Sequence, residues 1–204
     1  MRGSLESIIK HMIKLNNHKT NISFPAVVVN TDNLKDGFID VKPVVNFMNS
    51  ATGDTIEYPV ISNVSVMFPT SKNTTICFPL VQGDTVDLLF QSVDIQNFTS
   101  GDTEPHDPFS TGYGNLANVV AIVGFTPYQQ SCFNPINYKN DFDNQDLNIV
   151  HNKNTDNEIT FKLTTDGDLK VLNAKKVSFE CEEFEVSASE KIKLTAPLIS
   201  ENGR

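Results

Sequence analysis

Closely spaced carboxylates in the middle of the chain are the first residues that could do chemistry. Asp84, Asp87 and Asp94 follow one another within a short stretch, and a pair of carboxylates is what glycoside hydrolysis requires. Asp84 and Asp87, however, are separated by a spacing that puts them on different faces of a turn and strand. Because aspartate is also an ordinary turn residue, this spacing favours a structural role over catalysis.

A second acidic group could bind a cation. Asp102, Glu104 and Asp107 lie in one loop, and calcium takes its oxygen ligands from such loops. Their spacing is not that of an EF-hand, and the glycine at which that loop turns is missing. We therefore expect a solvated acidic loop and no bound metal.

The histidines, cysteines and glycines form no recognisable catalytic or metal-binding pattern. HxH, HExxH, CxxC, GxSxG and phosphate-loop motifs are all missing from the chain. The residues concerned are His11, His18, His106, His151, Cys77, Cys132 and Cys181. The isolated cysteines indicate inert thiols made in a reducing cytoplasm. We expect a protein that is not an enzyme and has no cofactor.

Charge and hydropathy exclude further classes of function. The 204 residues carry a formal net charge of −9, which repels nucleic-acid phosphates. Phe68, Phe78 and Phe90 could stack on bases, but their positions within apolar runs favour burial in a core. No apolar run approaches the ~20 residues that a membrane-spanning helix needs. We expect neither a nucleic-acid partner nor a transmembrane helix.

The first 126 residues of the chain contain one predicted helix and then strands. Within residues 1–20, apolar side chains recur at helical spacing from Leu5 to Ile13, which predicts a helix that docks on its own domain or on a neighbouring subunit. Residues 21–126 predict strands at 22–29, 38–47 and 118–124, with three more between 57 and 92. Five or six short strands of this kind are typical of an OB-fold-like barrel.

Two features inside that barrel region stand out. Gln82-Gly83-Asp84 predicts a hairpin turn in which glycine supplies any positive φ. Residues 94–118 form a long polar stretch, and loops of this length are often functional or assembly contacts. The next stretch, residues 127–148, has little periodicity and is interpreted as a linker.

Residues 149–204 follow a different pattern, with apolar residues alternating with polar ones in short units. Val177, Phe184, Ile192 and Ile199 start successive units at spacings of 7, 8 and 7 residues. One short strand per unit cannot enclose a core, so the apolar face must be buried against copies of itself. The pattern predicts an all-β fold in which an intertwined trimeric β-helix follows the barrel. The residues expected along its axis are Ile159, Phe161, Leu163, Leu169, Val171, Val177, Phe179, Phe184, Val186, Ile192 and Leu194.

A series of short motifs between residues 24 and 126 resembles a known family. They are Pro59-Val60-Ile61, Val64-Ser65-Val66, Phe68-Pro69, Phe78-Pro79-Leu80, Gly83-Asp84, Leu88-Leu89-Phe90 and Asp94-Ile95. In order and spacing they resemble the N-terminal domain of the central spike, or membrane-piercing protein, of contractile-tailed bacteriophages. The C-terminal alternation agrees with this resemblance, because these spikes are similar to an OB-fold barrel followed by a trimeric β-helix.

The resemblance implies a structural function. It implies a homotrimer in the virion, at the tail baseplate, made in the host cytoplasm, that mechanically punctures the host outer envelope. It also implies contacts between the N-terminal domain and baseplate or tail hub proteins. Many such spikes end in an iron-binding HxH tip, which is missing here. We therefore expect a separate tip protein to bind at Leu198 and Ile199.

The alternative is a trimeric OB-fold module that binds a surface saccharide. Exposed aromatic side chains beside polar groups in residues 94–118 would favour that alternative. A rod with a plain charged surface would favour mechanical puncture of the host envelope.

Overall fold

A computed structural model describes residues 22–49, 52–111, 115–138 and 142–196. The chain divides into two compact units, with the boundary between residues 134 and 135. The helix predicted in residues 1–20 and the tip residues Leu198 and Ile199 lie outside the described residues.

The first unit is built around a closed five-stranded barrel. Among the described residues of this unit, the strands are β1 (Ser23–Asn30), β2 (Phe38–Pro43), β3 (Phe47–Met48), β4 (Thr55–Ile56), β5 (Ile61–Met67), β6 (Thr85–Phe90) and β7 (Val119–Val123). The barrel order is β1-β2-β5-β7-β6, while β3 and β4 form a separate two-stranded sheet. All barrel pairs are antiparallel except β5 with β7, which is parallel. The predicted barrel is therefore present.

Alternation along the strands fills the barrel interior. Every second residue of β2 and β6 is buried, as expected for strands with one face on a core. The innermost side chains are at most 1% exposed; they are Ala26, Val28, Ile39, Val41, Val86, Leu88 and Ala121. A short helix, α1 (Gln96–Ser100), lies between β6 and β7, and three 3₁₀ turns occur at Leu34–Asp36, Tyr128–Gln130 and Pro135–Asn137.

Two strand predictions in this unit are wrong. The run predicted as a strand at residues 74–80 forms none and contributes only a bridge between Thr75 and Thr70. Pro79 has no N–H to donate to a ladder, and Phe78 next to it is about half exposed. The strand predicted at 38–47 ends at Pro43, and the chain turns away before the short strand β3.

The turn at residues 82–84 has the predicted glycine conformation, but it lacks the preceding strand of the predicted hairpin. Gly83 has a φ of 95°, in the left-handed region where glycine has no Cβ penalty. The Asp84 side chain accepts a hydrogen bond from the Val81 N–H at 2.8 Å. The turn leads into β6, but because residues 75–80 form no strand it does not join a hairpin.

The second unit contains a three-stranded antiparallel sheet. Its strands are β8 (Leu147–His151), β9 (Ile159–Leu163) and β10 (Leu169–Leu172), in the order β10-β9-β8. The strands predicted around Phe161 and Val171 are present, and they pair within one chain. The described residues after Leu172, which are 173–196, carry no helix or strand. A trimeric β-helix is not seen in this single chain.

None of the helices in the described residues is long and apolar enough to cross a membrane.

Candidate assembly surface

The central strand of the three-stranded sheet exposes its apolar side chains and buries its polar ones. In β9, Ile159, Phe161 and Leu163 are 38–41% exposed. Thr160 and Lys162, which alternate with them, are only 2% and 8% exposed. This is the reverse of what a half-buried strand of an isolated globular domain shows.

Strand register gathers the exposed residues into two rows. Leu163 pairs with Leu147 on one side and with Leu169 on the other. Phe161 likewise lies between Ile149 and Val171. Directly opposed side chains in a sheet are close neighbours, so the rows form one continuous surface. We call these six residues, together with Ile159 beyond them on β9, the apolar face; its residues are Leu147, Ile149, Ile159, Phe161, Leu163, Leu169 and Val171, all exposed. The strand partner of Ile159 is the exposed His151.

The opposite side of the sheet is held by a buried ion pair. Lys162 Nζ lies 2.8 Å from Asp146 Oδ2, with side chains only 10% and 6% exposed. The Thr165 N–H donates to the other carboxylate oxygen of Asp146 at 2.9 Å. The hydrogen bond from Lys162, and after it that from Thr165, lowers the pKa of Asp146 below its ordinary value. The polar side is therefore satisfied within the chain.

The turns of the sheet are fastened in the same way. The Glu158 carboxylate, in a residue only 2% exposed, accepts a hydrogen bond from the Asn154 N–H in the β8–β9 turn. Asn152 and Asn154 both have positive φ, at 54° and 60°, which asparagine tolerates better than most residues. Lys175, just after the sheet, donates to the Asn157 side chain. These contacts fasten the β8–β9 turn and the start of the segment after β10 within the chain.

The chain downstream of the sheet is exposed throughout. From Lys175 to Ala196 each residue is classed as exposed. Phe179 and Leu194 reach 73% and 74%, and the Phe179 and Phe184 rings stack with centroids 5.4 Å apart. The other predicted axis residues of this segment, Val177, Val186 and Ile192, are also exposed. We call residues 175–196 the downstream segment.

The long loop of the barrel is closed by a buried carboxylate. Asp94, 8% exposed, accepts hydrogen bonds from Ser110 Oγ at 2.6 Å and from the Gln96 N–H at 3.0 Å. The Ser110 bond, followed by the Gln96 bond, lowers the pKa of Asp94. Because Ser110 lies sixteen residues beyond Asp94, this contact ties the start of the loop to a point about two-thirds of the way along it.

The acidic residues of that loop interact locally. Asp102 Oδ1 accepts from the Glu104 N–H at 2.9 Å and lies 3.3 Å from His106 Nε2. Gly101 is needed here, since a Cβ would come within 2.5 Å of the Asn97 carbonyl oxygen and 2.8 Å of the His106 ring. Across the parts of the chain that the structure describes, no three His, Cys, Asp or Glu residues gather as metal ligands.

The three phenylalanines considered as base-stacking residues occupy different environments. Phe90 is buried in the barrel core and Phe68 packs against that core. Phe78 is about half exposed, with its ring 6.3 Å from that of Phe68. Core burial is therefore confirmed for Phe90 and holds in part for Phe68, whereas it is wrong for Phe78.

The barrel is the part of the molecule that a known family matches. Residues 24–124 match the family described as Phage protein Gp138 N-terminal domain. The barrel of this chain is similar to that domain. The match supports a phage structural protein, and it suggests a virion-associated location. No curated protein matches the chain.

The Gp138 match ends before the apolar face begins. The resemblance to phage proteins was predicted over nearly the same residues, 24–126, and is confirmed at the level of a phage structural protein. Sequence reasoning found five of the seven residues on the apolar face but missed Leu147 and Ile149, although the alternation from Leu147 to Ile149 signalled them. It also missed the pair of Asp146 with Lys162, for which the sequence carries no spacing signal.

Proposed function

We propose that this chain is a subunit of the central spike of a contractile phage tail, which acts as a homotrimer and mechanically punctures the host envelope. One observation carries the proposal: apolar side chains at alternating positions stay exposed from Leu147 to Leu194, beyond a barrel of phage type. A monomer that left so much apolar surface in water would be an exception among soluble proteins.

A homotrimer would bury that surface around one axis. Each large apolar side chain taken out of water contributes about 1.5–3 kcal/mol before entropy is counted. Strands exchanged between copies would also cover the unpaired backbone of the downstream segment, since an open edge invites aggregation. A narrow shaft held by such contacts needs no catalytic group, because contraction of the tail sheath would supply the mechanical work of puncturing the envelope.

The barrel fits the attachment end of such a spike. Counting only barrel strands, the order is first, second, third, fifth, fourth, with the parallel pair between the third and fifth. This closed five-stranded arrangement supports the OB-fold-like description. Tail hub proteins would bind the barrel at the baseplate, and a separate tip protein would bind near Leu198 and Ile199.

The native mass tests the proposal. Light scattering of the full chain is expected to give three times the chain mass of 22.6 kDa. Antibodies against the chain are expected to label intact virions at the centre of the baseplate. A chain that stays monomeric at every concentration, or label confined to the capsid, would contradict the proposal.

Saccharide binding is the second candidate, because one observation favours it. Phe98 and Phe109 in the long loop are 59% and 77% exposed, and they lie in the same loop as Asp102 and Glu104. Exposed aromatic rings beside polar groups suit a sugar. Titration of the full chain with host envelope saccharide is expected to show binding that Phe98→Ala and Phe109→Ala each weaken, if this candidate is right. Saturable binding that neither variant changes would remove the loop as the site.

A further inference from the structure

We infer that residues 1–21, which we call the N-terminal segment, fold back as an amphipathic helix onto the end of their own barrel at which β1 begins. There the segment covers apolar side chains that the described part of the chain leaves exposed. The inference goes beyond the proposed spike, because it requires neither a trimer nor a phage tail.

One end of the barrel collects the start of β1 and two connections between strands. β1, β5 and β7 begin at this end, and β2 and β6 finish there. The pairs that show this are Ser23 with Leu89, Ala26 with Pro43, Ile61 with Val41 and Val119 with Phe90. The connection of residues 44–60, which carries β3 and β4, and the loop of residues 91–118 therefore both start and finish here. We call this end of the barrel the β1 end.

Apolar side chains at the β1 end remain exposed. Those directly beside the strand ends are 49–74% exposed; they are Ile22, Val44, Val45, Val60 and Val93. Phe47, Met48 and Ile56 of β3 and β4 are 49–64% exposed. Beneath them the Phe24 ring lies 5.1 Å from Tyr58 and 4.8 Å from Phe90. Gathered apolar exposure of this kind marks a contact surface.

Ile22 fixes the place at which the N-terminal segment joins the barrel. Its carbonyl accepts a hydrogen bond from the Phe90 N–H at 3.0 Å. The Val44 N–H in turn donates to the Pro25 carbonyl at 3.0 Å, so the chain enters beside the exposed valines. Residues 16–21 can span at most about 25 Å between Leu15 and Ile22. A helix over residues 4–15 would be about 18 Å long, which keeps it within reach of the β1 end of its own chain.

The sequence of the N-terminal segment supplies a matching surface. Residues 1–21 lie outside the described residues, and their sequence places five apolar side chains on one helical face: Leu5, Ile8, Ile9, Met12 and Ile13. Lys10 and Lys14 lie on the other face. An isolated helix of this length is only marginally stable in water, so it needs an apolar surface to pack against. A tether this short gives such a surface in the same chain an effective concentration on the order of millimolar.

Charge complementarity favours the same partner. The N-terminal segment carries a net charge of +3, from Arg2, Lys10, Lys14 and Lys19 against Glu6. The two connections at the β1 end contain no Lys or Arg, and their carboxylates are Asp54, Glu57, Asp94, Asp102, Glu104 and Asp107. Glu57 already pairs with Lys42 and Asp94 is buried, which leaves four carboxylates to attract the segment. The same acidic connections would repel an anionic membrane, the other surface on which a cationic amphipathic helix binds.

Docking of the segment changes what this end of the barrel offers to other proteins. The apolar side chains would be covered, and the outer surface would be the helical face with Lys10 and Lys14. A protein that binds the β1 end would then meet positive charge above an acidic rim.

Photo-crosslinking of the full chain tests the contact. A benzophenone amino acid replaces Ile9 on the apolar face, or Ser7 on the polar face as a control. Position 9 is expected to link to a peptide that contains residues 43–61 or 91–98, in a product with the mass of a single chain on a denaturing gel. Position 7 is expected to give at least fivefold less of this product. Products with the mass of two chains, or equal yields from both positions, overturn the inference.

A matched pair of charge variants tests the cover. Ile9→Asp and Ser7→Asp add the same carboxylate to opposite faces of the predicted helix. Hydroxyl-radical labelling of Val45 and Val60 is expected to rise at least fivefold in Ile9→Asp and less than 1.5-fold in Ser7→Asp, while barrel amides stay protected from hydrogen exchange in both. If Ile9→Asp loses that protection, Ile8→Ser replaces it. Unchanged labelling in a variant that keeps its barrel overturns the inference.

The remaining occupants are distinguished by two further outcomes. The wild-type chain is expected to stay in solution when vesicles that contain phosphatidylserine are sedimented; sedimentation with the vesicles assigns the segment to a membrane and overturns the inference. A monomer that gives the single-chain crosslink supports the inference and contradicts the trimeric spike. A trimer that gives only two-chain crosslinks contradicts the inference alone.

Discussion

The pair of Lys162 and Asp146 shows how this sheet tolerates charge on its covered side. Taking two charges out of water is costly and is offset only when both are paired and hydrogen-bonded. Asp146 meets this condition with a bond to each carboxylate oxygen, one from Lys162 and one from Thr165. The charge pair therefore belongs to the side of the sheet that is covered within the chain, and the apolar side is left exposed.

Removing one partner should expose that dependence. Asp146→Asn leaves the buried ammonium of Lys162 without its counter-charge, and we expect the amides of β8–β10 to lose protection from hydrogen exchange. Asp168→Asn is the control, because Asp168 pairs with Lys170 on the exposed surface, where a single pair contributes little. Equal loss of protection in the two variants would contradict the role of the buried pair.

Acid should weaken the same sheet. The pKa of Asp146 is lower in the folded chain than its ordinary value, so its ionised form favours the fold. This contribution is fully present above the ordinary carboxyl pKa and is lost as the pH falls through the lower folded value. Hydrogen exchange across an acid series, corrected for the intrinsic exchange rate, should show this decline in the wild type, and Asp146→Asn should lack it. An identical pH profile for both proteins would contradict the assignment.

At the level of elements, the barrel is the part whose sequence and structure agree best. The apolar runs predicted strands at both β2 and β6, and every second residue of each is buried. The strand prediction at residues 74–80 was wrong because β-branched and aromatic composition indicates a strand even where a proline, which has no N–H, interrupts the hydrogen-bond ladder. Alternation also cannot tell pairing within a chain from pairing between chains, since both satisfy the same period of two. The pattern therefore predicts an intertwined shaft from the same residues that pair within one chain in β8–β10.

The barrel core gives a direct stability prediction. Leu88 is fully buried, so Leu88→Ala should lower the free energy of unfolding of the barrel by about 2–5 kcal/mol through lost burial and a cavity. Val81→Ala, at a position 62% exposed, should change it by less than ~0.5 kcal/mol. Urea unfolding followed by hydrogen exchange of barrel amides measures both. A small effect at Leu88 would mean that the barrel interior is misassigned.

For the whole molecule, the central question is whether copies meet along the downstream segment. Phe179→Asp would place carboxylates in the proposed apolar interior, where unpaired charge is strongly unfavourable, and we expect it to abolish assembly. Lys191→Glu changes a polar position of the same segment and should leave the mass unchanged. Light scattering of both variants decides; equal tolerance would show that the register, or the trimer, is wrong.

The position of the apolar face along the chain has a consequence for synthesis in the cell. Ribosomes add roughly 5–20 residues per second, so about 1–5 s separate the completion of β7 from the synthesis of β8. Small β-rich domains fold in milliseconds to seconds. The barrel can therefore fold before β8–β10 leave the ribosome. Chains whose barrels are still unfolded then do not yet expose the apolar face through which copies would associate.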